Sequence, residues 1–360
     1  MATLFGIPIP WRRIAFYAIT VAGAILVYLK FAELRLLKDF FVASNWHYIG
    51  LVVVIQFFSF FGLALNYQAV LKMKQLSVSV WELFPITFVI QFISQALPTA
   101  GISGQVFFID YLKKYSLTLA EGIGRAILEL ATLYTAYTVF FIISVALLFK
   151  SDAVQNSPRI IFFIYAFLIF IAICIIIFIL SQKKRRDSRL HWIIDYFMKL
   201  IKKSGLQNFP GIRSLIQHSE HFTMIKEQFK TTLNFQFLWR KKKLFFLACL
   251  WQWIILMTHV FTLYVIAWSL GTPIPFAVCF IAFTFSKFLS MISVVPGAPG
   301  VFEGAMTLIL LSFGIDASPA LTATILTRAF TFWLPMPIGW LLYRKYTKQF
   351  ETMDDKVVVS

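Results

Sequence analysis

Charge is scarce in this sequence. Only 14% of its 360 residues are charged, and 16 acidic residues stand against 33 basic ones. A chain this poor in charge, 59% hydrophobic and with mean hydropathy +0.79, lacks the polar surface of a large soluble enzyme. Lipid is the solvent for most of it. Cysteine is nearly absent: Cys174, Cys249 and Cys279 lie singly in apolar runs. That excludes a disulfide scaffold and a metal or redox pair, and leaves packing roles in the membrane. Histidine is equally sparse. His218 and His221 share a helix face near Glu220 but lack the further ligands of a metal site, and His259 in an apolar run reads as a hydrogen-bonded packing residue. There is no His-Glu-x-x-His, no nucleotide-binding loop, no aspartate-rich phosphate motif and no nucleophile triad. The expectation is a protein that is not an enzyme and needs neither metal nor cofactor. The formal charge of +17 would point to nucleic acid in a soluble chain. Here the basic residues fall mostly in one loop, so they read as a topology signal and no nucleic-acid partner is expected.

Long apolar runs are what the chain has instead. Residues 14–32, 46–66, 126–149, 160–181, 244–270 and 320–343 each exceed the roughly 18 residues that cross a hydrocarbon core. The first follows Arg12-Arg13 and leads into Lys30, Glu33 and Arg35 without a clear cleavage site, so it reads as an uncleaved anchor. The loop 182–243 holds 15 Lys and Arg against four acidic residues, which assigns it to the cytoplasm. Counting spans outward places both termini there too, in a multi-pass protein of the cell membrane. Within that loop, Leu190, Ile193, Ile194, Phe197 and Ile201 form one apolar stripe. Leu215, Phe222, Ile225, Phe229 and Leu233 form another. Both suit helices lying on an anionic surface, with a solvated topogenic loop as the alternative. No linker divides the chain, so a single membrane domain over 1–345 and a short tail over 346–360 are expected.

Two further segments, 83–112 and 276–314, are apolar but broken. Leu97-Pro98-Thr99-Ala100-Gly101-Ile102-Ser103-Gly104 interrupts the first and Val295-Pro296-Gly297-Ala298-Pro299-Gly300 the second. As helices, 83–97, 105–115 and 301–314 reach ~22, ~16 and ~21 Å, short of a ~30 Å core, and 276–295 is borderline. Parity requires the first segment to start and end inside and the second to start and end outside. Two full spans satisfy parity as well as a hairpin does, but length, and the lack of Lys or Arg over 296–302, favour hairpins. The expected fold is all-α: a polytopic membrane helix bundle of six full spans plus two re-entrant helical hairpins. Residues 46–149 read span, hairpin, span, and 244–343 repeat that order from the opposite side, an inverted repeat. The capping pattern recurs as well. Thr118 and Glu121 form a capping box before a helix holding Arg125, and Ser318 caps, with Pro319 at N1, a helix holding Arg328.

Paired broken helices in two halves point to a transporter-type binding site. Gly101, Gly104, Gly297 and Gly300, next to Pro98 and Pro296, permit tight backbone and close approach of a ligand. Backbone N–H groups at the following helix starts could hold phosphate, and Thr99, Ser103 and Gln105 add side-chain donors. Bare turns are the plainer reading. Arg328 lies ~15 Å below the outer end of its span, where a charge needs a partner or water. Glu303, opening the half-helix after the second break, is its candidate partner or a contact for a cationic headgroup; a structural ion pair is the alternative. Three residues are secondary candidates. Arg125 and Glu129 are spaced as an i,i+4 pair, first read as structural. Lys287 could snorkel, pair with Glu303 or face a cavity.

The stretch Val295-Pro296-Gly297-Ala298-Pro299-Gly300-Val301-Phe302-Glu303-Gly304, followed by Arg328 and by Pro335 through Gly339, resembles the flippase-like membrane domain family. That domain is the transmembrane half of lysylphosphatidylglycerol synthase, the bacterial multiple-peptide-resistance factor. The family pattern is a Pro-Gly-Gly-x-Gly turn, a Glu, then an Arg and a Pro in the last helix. Leu97 through Gly104 is similar to its first motif, and the resemblance spans roughly residues 10–345. Ala298-Pro299 stands where glycines are more usual, which stiffens the turn. No soluble aminoacyl-transferase domain follows residue 345, so a stand-alone member is expected. The resemblance implies a flippase or scramblase moving an anionic or aminoacylated phospholipid, or a polyprenyl-linked lipid, between leaflets. Without that domain the chain is not expected to make lysylphosphatidylglycerol itself. Implied partners are membrane lipids, a separate lipid-modifying enzyme and a second copy in a homodimer. Two other readings stay open: a membrane glycosyltransferase using a polyprenyl-linked donor, with Glu303 as its base, and an ion-coupled transporter of a small anion.

Overall fold

A computed structural model describes residues 3–4, 7–8, 46–96, 102–150, 235–292 and 297–358. The chain divides into two units, Met1–Trp46 and His47–Ser360. In the first, β1 (Thr3–Leu4) pairs antiparallel with β2 (Ile7–Pro8). The expected spans 14–32 and 160–181, and both apolar stripes of the basic loop, lie outside the described residues.

Helices make up the rest of the described architecture. The first set is α1 (Trp46–Met73), α2 (Val80–Ala96), α3 (Ile102–Leu112) and α4 (Leu119–Phe149). After the short α5 (Phe235–Arg240), which forms the end of the basic loop, comes a second set. It comprises α6 (Lys242–Ser269), α7 (Phe276–Ile292), α8 (Val301–Ser312), α9 (Ala317–Arg328) and α10 (Pro335–Val358). A π-helical turn, Ala329–Trp333, makes α9 and α10 continuous. Among the described residues, four stretches are long and apolar enough to cross a membrane: His47–Met73, Leu119–Phe149, Lys242–Ser269 and Ala317–Tyr346. They coincide with four of the expected spans and extend beyond them. Their outer faces leave Phe57, Phe58, Ile142, Phe246 and Leu341 exposed, as lipid-facing helices do.

Helix starts follow local chemistry. Thr118 Oγ1 accepts from the Glu121 amide at 3.3 Å, and the Glu121 carboxylate accepts from the Thr118 amide at 2.9 Å, completing the expected capping box. The start of α9 differs from expectation. Asp316, not Ser318, occupies the N-cap, with no side-chain cap bond, so Pro319 falls in the third helical position rather than the first. Any first-turn position tolerates proline, because amides there have no intrahelical acceptor.

Packing between the two sets is reciprocal. α2 pairs with α3 and α7 with α8. α2 also lies on α10, the last helix of the second set, while α7 lies on α4, the last helix of the first. α3 packs on α4 as α8 packs on α9. Small residues set the closest approaches, as they do between helices in lipid. A Cβ on Gly339 of α10 would sit 2.5 Å from the Phe88 carbonyl oxygen and 2.5 Å from Phe92 Cβ. One on Gly104 of α3 would sit 2.6 Å from the Ile90 carbonyl oxygen. Backbone cannot yield there, so Gly339→Ala is expected to cost about 1–3 kcal/mol by overpacking. A lowered Tm of the detergent-solubilised protein would register it. An unchanged Tm would mean that α2 and α10 are less closely apposed than this.

Candidate functional site

Polar side chains scattered through the apolar helices converge on one cavity of about 250 Å³. α1, α2, α3, α4, α6, α7, the Gly297-Ala298 turn, Arg328 and the π-helical turn all contribute to its walls.

Arg328 anchors one wall. Its Nε donates to Glu303 Oε1 at 3.0 Å and its Nη2 donates to the Gly297 carbonyl. The guanidinium carbon lies 4.7 Å from the Phe302 ring centre and 4.1 Å from that of Phe332, close enough for cation–π attraction on both sides. Both side chains of the ion pair are 9% exposed. Glu303 is placed by the start of α8: its carboxylate accepts from the Gly300 amide at 2.7 Å, half of a capping box. A guanidinium has five N–H donors. Two are used here, and the others have no acceptor among the described residues.

The turn that meets Arg328 is left-handed, with φ +63° at Gly297, +49° at Ala298 and +84° at Gly300. A Cβ on Gly297 would lie 2.5 Å from the Phe332 ring, so glycine is required there by conformation and by space. Ala298 holds a left-handed conformation despite its methyl, at a cost of about 1–2 kcal/mol. That accounts for glycine being the more usual residue at this place in the motif.

Lys287 of α7 lines the same cavity. It neither pairs with Glu303 nor has any hydrogen-bond or ion-pair partner among the described residues; of its three sequence-level alternatives, the structure shows the cavity-facing one. His259 of α6 also lines the cavity, and its Nδ1 is buried without a partner among the described residues. The expectation of a hydrogen-bonded packing histidine is corrected on this point.

Glu129 of α4 occupies another wall. Oε2 accepts from Gln105 Nε2 at 2.6 Å and Oε1 from Gln252 Nε2 at 3.0 Å. Gln105 Nε2 also reaches the Tyr67 hydroxyl at 3.3 Å. The i,i+4 pair with Arg125 does not form. Arg125 instead donates to the Glu121 carbonyl at 3.0 Å and the Lys74 carbonyl at 3.1 Å. Helical side chains lean toward the N-terminus, so Arg125 ties the start of α4 to the end of α1 and leaves Glu129 to the cavity.

Of the other expected site residues, Gln105, Gly297, Glu303 and Arg328 come together, with Glu303 behind the wall. Ser103 and Gly104 do not join them. The Ser103 hydroxyl donates to the Ile93 carbonyl at 2.9 Å and Gly104 admits α2, so both fasten α3 to α2. Gly300 supplies the left-handed turn and the amide that binds Glu303, outside the cavity lining. The start of α8 is not an open phosphate site, since the Glu303 carboxylate already fills it. Pro98, Thr99, Gly101 and Pro296 lie outside the described residues. Tyr67, Gln91, Gln95, Gln252 and Ser290 line the cavity without having been singled out from sequence. Their one signal is polarity inside an apolar run. Among the described residues no cluster of three or more His, Cys, Asp or Glu could hold a metal.

The family described as "Lysylphosphatidylglycerol synthase TM region" matches residues 14–339. A UPF0104 membrane protein of Pyrococcus horikoshii is 24% identical over 342 residues, 92% of this chain and 97% of that protein. A UPF0104 membrane protein of Methanothermobacter thermautotrophicus is 20% identical over 296 residues, 81% of this chain and 83% of that protein. No solved structure matches.

Proposed function

This chain belongs to the lysylphosphatidylglycerol synthase transmembrane family, and on that premise we propose that it is a lipid flippase or scramblase. Its cargo is an anionic or aminoacylated phospholipid, or a polyprenyl-linked lipid, moved between leaflets of the cell membrane. The observation that carries this reading is a cation without a partner among the described residues, Lys287, which lines with Arg328 the wall of a cavity inside an apolar bundle. Burying a charge without a partner is costly. A headgroup phosphate supplies the missing partner.

The mechanism follows from the two hairpins. α2–α3 enters from the cytoplasmic side and α7–α8 from the other, as halves of an inverted repeat within six full spans, with both termini cytoplasmic. The Gly297-Ala298 turn of the second hairpin lines the cavity, and non-helical backbone at that depth is tolerable where it does so. The reciprocal packing of α2 on α10 and α7 on α4 supports this symmetry. Rocking one set against the other opens the cavity to each side in turn, while the acyl chains stay in lipid. The π-helical turn after Arg328 marks a joint in the last span, and such turns are frequent at functional sites.

The test is leaflet exchange in proteoliposomes carrying headgroup-labelled lipid, with dithionite quenching the outer leaflet. Quenching beyond the outer-leaflet fraction, at a rate that scales with protein, is the expected result. Sugar transfer from a polyprenyl donor without leaflet exchange would favour the enzyme, and uptake of a soluble anion without lipid movement would favour a solute carrier. The glycosyltransferase reading is weakened because Glu303, its candidate base, is held by Arg328 and the Gly300 amide.

A further inference from the structure

We infer that the cavity is built for a compact dipolar headgroup, with a phosphate against Lys287 and Arg328 and a primary ammonium against Glu129 and Gln105. This rests on the transport reading above and replaces its cargo class with a zwitterionic phospholipid. The polar atoms of the cavity divide by what they lack. On one wall, donors lack acceptors: among the described residues neither Lys287 nor three N–H groups of Arg328 have a partner. On another, acceptors lack donors. Gln105 Oε1 is buried without a partner among the described residues. Glu129 is 3% exposed, and among the described residues its carboxylate is held by two neutral amide groups alone, whereas a carboxylate offers about four lone-pair sites. An anionic ligand alone satisfies the first wall and leaves Glu129 without a counter-charge. An amine alone does the reverse. A ligand carrying both charges satisfies both.

The two walls come from different helix sets. Lys287 and Arg328 stand on α7 and α9, Glu129 and Gln105 on α4 and α3, with Gln252 of α6 reaching across to Glu129. A dipolar headgroup therefore bridges the parts that the transport reading sets in motion. Size narrows the class. The volume, about 250 Å³, falls below the roughly 300–1,000 Å³ of pockets for drug-sized ligands, which favours a phosphate–aminoethyl unit over a long aminoacyl-glycerol one. Hydrogen bonding narrows it again: a primary ammonium offers three N–H donors to Glu129 and Gln105, and a trimethylated one offers none.

Calorimetric titration of the full-length protein in detergent tests the idea. Four ligands are compared: dihexanoyl phosphatidylethanolamine, phosphatidylglycerol and phosphatidylcholine, and free phosphoethanolamine. Phosphatidylethanolamine is expected to bind about tenfold or more tighter than either other lipid, the scale of one charge-assisted hydrogen bond. Glu129→Gln should erase its advantage over phosphatidylglycerol. Equal affinity of the wild-type protein for all three lipids overturns the inference, whether or not the variant folds. Free phosphoethanolamine binding as tightly as the lipid would overturn the lipid source and assign the site to a soluble dipole. Leaflet exchange with no headgroup preference leaves the transport reading standing and sinks the inference. Selective, Glu129-dependent binding without leaflet exchange does the opposite.

Discussion

Arg328→Met is expected to destabilise the protein by about 3–5 kcal/mol and to abolish lipid movement, because it strands Glu303 as a buried charge without its cation. Glu303 would keep only the Gly300 amide, and the space between Phe302 and Phe332 would lose its guanidinium. The double variant Glu303→Met/Arg328→Met separates stability from function. Replacing both members of a buried pair by apolar groups is often neutral, so its Tm should recover most of the loss. Leaflet exchange should not recover, since the Arg328 donors that face the cavity are gone. Thermal unfolding in detergent and dithionite quenching in proteoliposomes, on the same preparations, read the two effects. A double variant that moves lipid at the wild-type rate would reduce the pair to a structural clasp for the second hairpin.

Lys287→Met should act with the opposite sign on stability. No group among the described residues offsets the Lys287 charge, so removing it relieves a desolvation cost and Tm should hold or rise. Lipid movement should fall tenfold to a hundredfold, since a hydrogen bond to a charged group contributes about 1.5–3 kcal/mol. Lys287→Arg keeps the charge and should retain part of the activity. A Lys287→Met protein that is unstable, or one that moves lipid normally, would show that the ammonium has a structural role instead.

How much of this was legible in the sequence depends on the range of the interaction. The long helices were, because uninterrupted apolar runs of membrane length have few other folds available. The turn before α8 was legible too, through glycine and proline. So was the Glu303–Arg328 contact, since two charges flanking one turn in lipid must find each other. The setting of Glu129 was not. Its partners Gln105 and Gln252 are 24 and 123 residues away, and only helix packing brings them together. The i,i+4 rule misled at Arg125 because a long side chain can reach the carbonyls behind it as readily as the carboxylate ahead. Ser103 and Gly104 belong to a motif shaped like a ligand turn, yet the Ser103 hydroxyl donates to Ile93 of α2 and Gly104 gives α2 room to approach. Gln91, Gln95, Gln252 and His259 carried a usable signal as polar residues inside apolar runs. Which side of each helix faces inward was settled by packing, not by any stripe in the runs.

The most direct measurement of the central claim is thiol accessibility at the cavity wall. Ser290 of α7 lines it, and Ser290→Cys can be placed in a chain whose Cys174, Cys249 and Cys279 are replaced. A membrane-impermeant maleimide is then applied to oriented proteoliposomes from each face separately. An alternating-access lipid path requires labelling from both faces, slowed by transported lipid. Labelling from one face alone, or labelling indifferent to lipid, would contradict it.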